Sequence, residues 1–214
     1  QPIMSKGFVH RTNKELVSLL YHADRRVRQE AQFTLVEKGA LDELIEVAQS
    51  GENQLARIHA IWGLGQLGRQ SSVGLDPRSF KRDSTLLNLL TSADDPEIRA
   101  QICRVIVDRR PQTSEERKQL QEYRDKRKGV ASNSSADPDV TMDDPGFVET
   151  FFFPTALVRH LLQDESPRVR SLAALALRSF SPSATMPALL KMLDENETND
   201  SVVRHSASVA LSRI

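Results

Sequence analysis

Three glycines raise the first chemical possibility. In "ARIHAIWGLGQLGRQ", residues 56 to 70, Gly63, Gly65 and Gly68 spell G-x-G-x-x-G, and Asp83 follows twenty residues after the first of them. That is the spacing of a loop that cradles a dinucleotide pyrophosphate, with an acidic side chain on the ribose. The chemistry needs a strand before the loop and a helix after it, so that the phosphates meet a helix N-terminus. Here the order is reversed. Asn53 stands ahead of the glycines as a helix-capping residue, and "RQSSVGLDPRS" after Gly68 holds loop formers without an amphipathic pattern. The triplet is expected inside a helix, and no cofactor is expected.

The other reactive residue types are scattered. His10, His22, His59, His160 and His205 form no HExxH and no close pair with Cys103, the single cysteine, so neither a zinc site nor a disulfide has its donors. "DPDVTMDDPG", residues 137–146, has the acid content of a calcium loop but lacks the central glycine and closing glutamate in register. Asn133, Asn196 and Asn199 open N-x-S/T triplets that read as accidental. No catalytic residue and no metal ligand is expected.

The elements that carry these residues are helical. Of 214 residues, 39% are apolar and 27% charged, the charges cancel, and no apolar run approaches the ~18 residues of a membrane span. A balanced charge draws the chain neither to nucleic acid nor to anionic lipid, and no direct membrane insertion is expected. Apolar residues recur at three- and four-residue intervals and period-two alternation is sparse, which predicts an all-α protein.

Five segments then align without gaps: "DRRVRQEAQFTL", "NQLARIHAIWGL", "DPEIRAQICRVI", "SPRVRSLAALAL" and "DSVVRHSASVAL". Their first column, Asp24, Asn53, Asp95, Ser166 and Asp200, consists of N-cap residue types. Four residues on comes an arginine each time: Arg28, Arg57, Arg99, Arg170 and Arg204. A guanidinium at fixed distance from a polar cap is expected to bond its own turn or the neighbouring one, forming a ladder along the repeats. Columns such as Val27, Ala31 and Leu35 trace one buried stripe, and Trp62 shares a column with Phe33, Leu175 and Val209 that reads as core. Shorter amphipathic stretches, among them "KELVSLLYHA" and "MPALLKMLDEN", precede the caps, so each unit is a helical hairpin that buries its faces by stacking. The predicted fold is a single solenoid of about five hairpins, units near 13–39, 40–69, 83–110, 154–180 and 183–214, with an insertion near 111–150.

Paired helices, "DDPEIRAQ" and "DESPRVRS" at the turns and small residues on the second helix resemble the HEAT-repeat family in its short bacterial form. "RRVRQEAQFTL", "LARIHAIWGLGQLGR" and "VVRHSASVAL" are similar to the HEAT segment of large exported bacterial proteins with a sugar-dehydrogenase-like propeller before the repeats and a c-type haem domain after them. That resemblance implies a periplasmic or membrane-associated setting and a spacer or docking role without quinone or haem in this segment. The start at Gln1 and the stop at Ile214 within an apolar pattern read as a piece of something longer.

HEAT-like solenoids bind along the concave face lined by the second helices, so the resemblance directs the search for a site there. The columns of Gln29 and Gln32, and of Ile58, Ile61 and Gly65 in the second unit, are expected to turn away from the core on that face. With Ala60 and Leu64 on its other side the second-unit helix is apolar all round, so something must cover it: the insertion, ending in "FVETFFF", or another domain. The expected function is a non-catalytic protein-interaction scaffold whose partner is another protein or flanking domains of the same chain. The alternatives are an accessory repeat domain of a dehydrogenase or cytochrome protein and a nucleic-acid-binding repeat. Against the last, Arg25, Arg26, Arg168 and Lys191 make no aligned basic face.

Overall fold

The computed structural model describes residues 2–5, 7–70, 77–107, 158–178, 182–196 and 200–212. A one-turn helix α1 (Pro2–Ser5) precedes the hairpin of α2 (Asn13–Leu19) and α3 (Arg25–Glu37). Next come α4 (Leu41–Ser50) with α5 (Gln54–Gln70), and α6 (Pro77–Ser92) with α7 (Pro96–Val107). A 3-10 turn (Leu161–Gln163) leads into α8 (Pro167–Leu177), and α9 (Pro182–Asp194) with α10 (Ser201–Leu211) closes the series. All elements among the described residues are helical. The insertion near 111–150 and "FVETFFF" lie outside the described residues. Helix α6 starts at Pro77, earlier than the residue 83 expected for its unit.

Local signals set the hairpin ends. Thr12 and Glu15 form a reciprocal capping box on α2, with Thr12 N–H donating to Glu15 Oε2 at 2.7 Å and Glu15 N–H to Thr12 Oγ1 at 3.3 Å. Helix α3 ends at Gly39, whose φ of 63° admits the left-handed turn. There the Ala40 amide donates to Leu35 O at 2.9 Å and the Gly39 amide to Val36 O at 3.0 Å, the paired bonds of a Schellman ending.

The second helices α3, α5, α7, α8 and α10 pack side by side in that order, while α2, α4 and α6 form a second layer, continued by the 3-10 turn and α9. Between the layers lies the core. Val27, Ala31 and Leu35 are fully buried on α3, as are Ala56, Ala60 and Leu64 on α5 and Val169, Ala173 and Leu177 on α8. Leu16, Leu44, Leu90 and Leu189 meet this stripe from the other layer. Each such leucine contributes roughly 1.5–3 kcal/mol, and small alanines let the helices approach closely.

Candidate partner-binding face

The cap and arginine columns build the turns that hold the face. Asp24 Oδ1 accepts from the Arg26 amide, Asp95 Oδ1 from the Glu97 amide, and Asn53 Oδ1 from Leu55 and Ala56, while Asp200 Oδ1 accepts from Val202 and Val203. Ser166 differs: its side chain makes no cap bond, and its own amide donates instead to Asp164 Oδ1 at 2.9 Å. The arginines bond carbonyls at the C-terminal end of the first element in their own hairpin. Arg28 Nη1 donates to His22 and Ala23, Arg57 Nε to Ala48, and Arg170 Nη1 to Asp164 and Glu165. These are the orphan acceptors that a cation satisfies best. Arg99 does this too, through Ala93 and Asp94, and alone of the four also forms a bidentate pair with a later unit: Nε to Asp164 Oδ2 at 2.8 Å and Nη2 to Oδ1 at 3.1 Å. Arg204 is exposed in the last unit.

Stacking decides which flank stays open. An inner second helix meets its own first helix, the preceding second helix and the following one, so three flanks are covered. On α5 the flank of Ile58, Ile61 and Gly65 is buried, and a methyl group on Gly65 would lie 2.8 Å from Val105 Cγ1 on α7. The flank of His59 and Gly63 turns to α3 and α4: His59 Nδ1 bonds Gln32 Oε1 at 2.7 Å, and a methyl on Gly63 would meet Leu44 at 3.0 Å and Val36 at 3.5 Å. Gln32 is buried, its amide donating to Gln66 Oε1 at 3.0 Å, and Gln29 is half-buried. Thus Gln32, Ile58, Ile61 and Gly65, expected on the open face, sit between neighbouring second helices instead, and Gln29 is half-buried. The apolar girth of α5 is covered by α3 and α7, and the reason is simple: a helix inside a stack has neighbours on both sides.

The open flank is the column nine residues after each cap, about 200° round the helix from the buried alanines. It carries Phe33 on α3, Trp62 on α5, Arg104 on α7 and Leu175 on α8. Leu55 and Val202, two residues after their caps, share it at 46% and 61% exposure. Trp62, expected in the core, packs against it on one side but stays half-exposed. The signal was in the sequence: tryptophan and arginine in one column opposite the small core residues.

Trp62 is fixed from several directions. Its Nε1 donates to Gln101 Oε1 at 2.9 Å, and Gln101 Nε2 donates to Glu97 Oε1 at 2.6 Å. Glu97 in turn accepts from Arg168 Nη2 at 2.9 Å and from Arg168 Nε. The chain of bonds crosses α5, α7 and α8, and Arg168 beside Glu97 holds that carboxyl below its usual range. The His59 ring stands edge-on to Trp62 at 5.2 Å, and the exposed Arg104 guanidinium lies over the indole at 6.0 Å from the ring centre. Such cation–π contact leaves the guanidinium edge free to bond. Beside it a cleft of about 270 Å³ opens between α3 and α5, lined by Phe33, Val36, Glu37, Gln66, Arg69 and Gln70.

The reactive groups nearby are quenched by their surroundings. Burial, with help from Arg28 and Arg25, lowers His59 to about 4, so it is neutral at physiological pH. Burial likewise pushes the Cys103 thiol up to about 12. Gly63, Gly65 and Gly68 all lie within continuous α5, and Asp83 is paired with Arg82 at 2.8 Å on α6. No group of three His, Cys, Asp or Glu side chains converges among the described residues, and none of their helices is long and apolar enough to cross a membrane. Among the described residues the open flank carries Phe33, Trp62, Arg104 and Leu175, apolar and cationic side chains suited to contact.

Paired helices stacked in two layers around one continuous core define an α-solenoid. Within it, residues 154–214 match the family model described as HEAT repeats. No curated protein matches the chain. Among solved structures it is similar to a designed armadillo repeat protein in complex with the peptide (KR)4, at 19% identity over 92% of this chain and 80% of that one, with a TM-score of 0.48. A computationally designed armadillo repeat protein for modular peptide recognition shows 18% identity, coverage of 93% and 80%, and a TM-score of 0.48. The complex of CpcE and CpcF of phycocyanin lyase from Nostoc sp. gives 19% identity, coverage of 95% and 76%, and a TM-score of 0.38.

Proposed function

We propose that the chain is a non-catalytic scaffold that binds another polypeptide along the open flank of its second helices. The observation that carries this reading is Trp62: a half-exposed indole, capped by an arginine and locked by hydrogen bonds spanning three helices. Tryptophan and arginine are the types that dominate binding energy at interfaces, and a rigid ring loses little entropy when a partner covers it. Polypeptide is favoured over nucleic acid because Arg26 and Arg168 are already paired with Asp24 and Glu97, and exposed Glu30 and Glu37 share the region. The partner is a separate protein or a flanking domain. The setting implied by the sequence resemblance, an accessory segment of an exported dehydrogenase or cytochrome protein, is tested by sequencing the gene on both sides.

Photo-cross-linking residues placed at Leu55 and Val202 on the open flank, and at Glu46 and Asn88 on the other layer, test the function in the source cells. The first pair is expected to give protein adducts that resist nuclease, and the second pair none. Equal labelling from both pairs, or adducts removed by nuclease, contradicts the reading.

A further inference from the structure

We propose that the open flank takes an extended segment of the partner in which one acidic residue pairs with Arg104, with apolar residues about three positions to either side, one on Trp62 and one on Leu172 and Leu175. The inference rests on the scaffold reading and adds the chemistry of the bound chain.

Charge locates the acid. Arg26 has Asp24 at 2.8 Å, and Arg168 has Glu97, whereas Arg104 is exposed and meets no carboxylate among the described residues. A carboxylate arriving at Arg104 therefore gains a partner without breaking an existing pair, and it can bond the guanidinium edge while the ring keeps the face. Nearer the N-terminal end the exposed Glu30 and Glu37 repel an acid, which confines it to the middle of the flank.

Geometry sets the spacing. Packed helices lie about 8–10 Å apart and an extended chain advances about 3.3 Å per residue, so it passes one second helix for about every three residues. Helices α5, α7 and α8 are consecutive in the stack. An acid over Arg104 on α7 thus places neighbours about three residues away over Trp62 on α5 and over Leu172 and Leu175 on α8. Those sites want apolar side chains: Trp62, Leu172 and Leu175 are all half-exposed. One more step reaches Phe33 on α3 and the cleft beside it. One acidic position flanked by apolar positions at that repeat forms a recognisable segment.

The test uses the full chain and labelled synthetic peptides of Ser and Gly that carry Leu-x-x-Leu-x-x-Glu-x-x-Leu, with Lys in place of Glu as the comparison, read by fluorescence anisotropy. The Glu peptide is expected to bind about tenfold tighter than the Lys peptide, since one charge is attracted and the other repelled. Arg104→Ala should level the two, and Arg104→Glu should invert their order. Arg104 is exposed, and unchanged circular dichroism melts will show that both variants fold. Equal affinities on the native chain, an order that survives Arg104→Glu, or binding of neither peptide overturns the proposal. If cross-links from Leu55 and Val202 persist in that event, the scaffold reading stands and only the peptide chemistry fails. Self-association abolished by Arg104→Ala also overturns it, since the occupant is then a second copy of the chain.

Discussion

Replacing Gly65 by alanine sets two effects of similar size against each other. Alanine in a helix interior is favoured over glycine by up to about 1 kcal/mol. Its new methyl, however, would lie 2.8 Å from Val105 Cγ1, 3.2 Å from Cγ2 and 3.5 Å from Cβ. Val105 is buried and β-branched, so it has one strongly preferred rotamer in a helix and cannot swing both methyls away. Helices α5 and α7 must part instead, and forcing a methyl into a packed interior costs about 1–3 kcal/mol. The net expectation is a loss of about 1 kcal/mol. In a Val105→Ala background the obstruction is gone, and Gly65→Ala should then stabilise by up to about 1 kcal/mol. Urea denaturation of the four proteins of this cycle, followed by circular dichroism, measures both steps. The reasoning is refuted if Gly65→Ala stabilises the native chain, or if its effect is the same within ~0.3 kcal/mol in both backgrounds.

Further predictions concern the turns and the buried histidine. Arg99→Ala leaves Asp164, almost wholly buried, without its guanidinium and should cost about 3 kcal/mol or more by thermal denaturation, whereas Lys81→Ala at the exposed pair with Asp42 should cost less than about 1 kcal/mol. Asp200→Ala removes a cap that serves two amides and should cost about 1 kcal/mol, while Ser166→Ala, whose hydroxyl caps nothing, should leave the melt unchanged. Between pH 6.5 and about 4 the unfolded chain protonates His59 and the native chain does not, so acid favours unfolding and stability falls across that window. His59→Gln should flatten this slope in pH-dependent melts. Asp24 acts lower: Arg26 holds its carboxyl at about 2, so its contribution disappears only as pH drops from 3.8 towards that value.

Much of the fold is written in short-range pattern. Asp24, Asn53, Asp95 and Asp200 act locally on amides two or three residues away, so their column could be aligned by eye. Arg28, Arg57 and Arg170 bond only a few residues upstream, within reach of the same pattern. The pair of Arg99 with Asp164 joins residues 65 apart across the insertion, and no periodicity announces it. A glycine inside a helix admits close approach by a neighbour, but only the stack identifies Leu44 and Val105 as what approaches Gly63 and Gly65. Which flank of a second helix stays open is hidden for a related reason. Hydropathy separates buried from open flanks when a helix has one neighbour; with neighbours on both sides of α5, Ile58 and Ile61 are buried by the stack, Gln32 is buried against α5, and the open column holds a tryptophan that its apolar column-mates assign to the core.

Trp62 is the single tryptophan of the chain, so its emission reports one place on the surface. Quenching of that emission by iodide, measured for the protein alone and with its bound partner, tests most directly whether binding occurs on the open flank. A fall in quenching on complex formation, abolished when the partner is released by salt, is the predicted result. A partner that binds, as shown by sedimentation, while Trp62 remains as accessible to iodide as before would contradict the account.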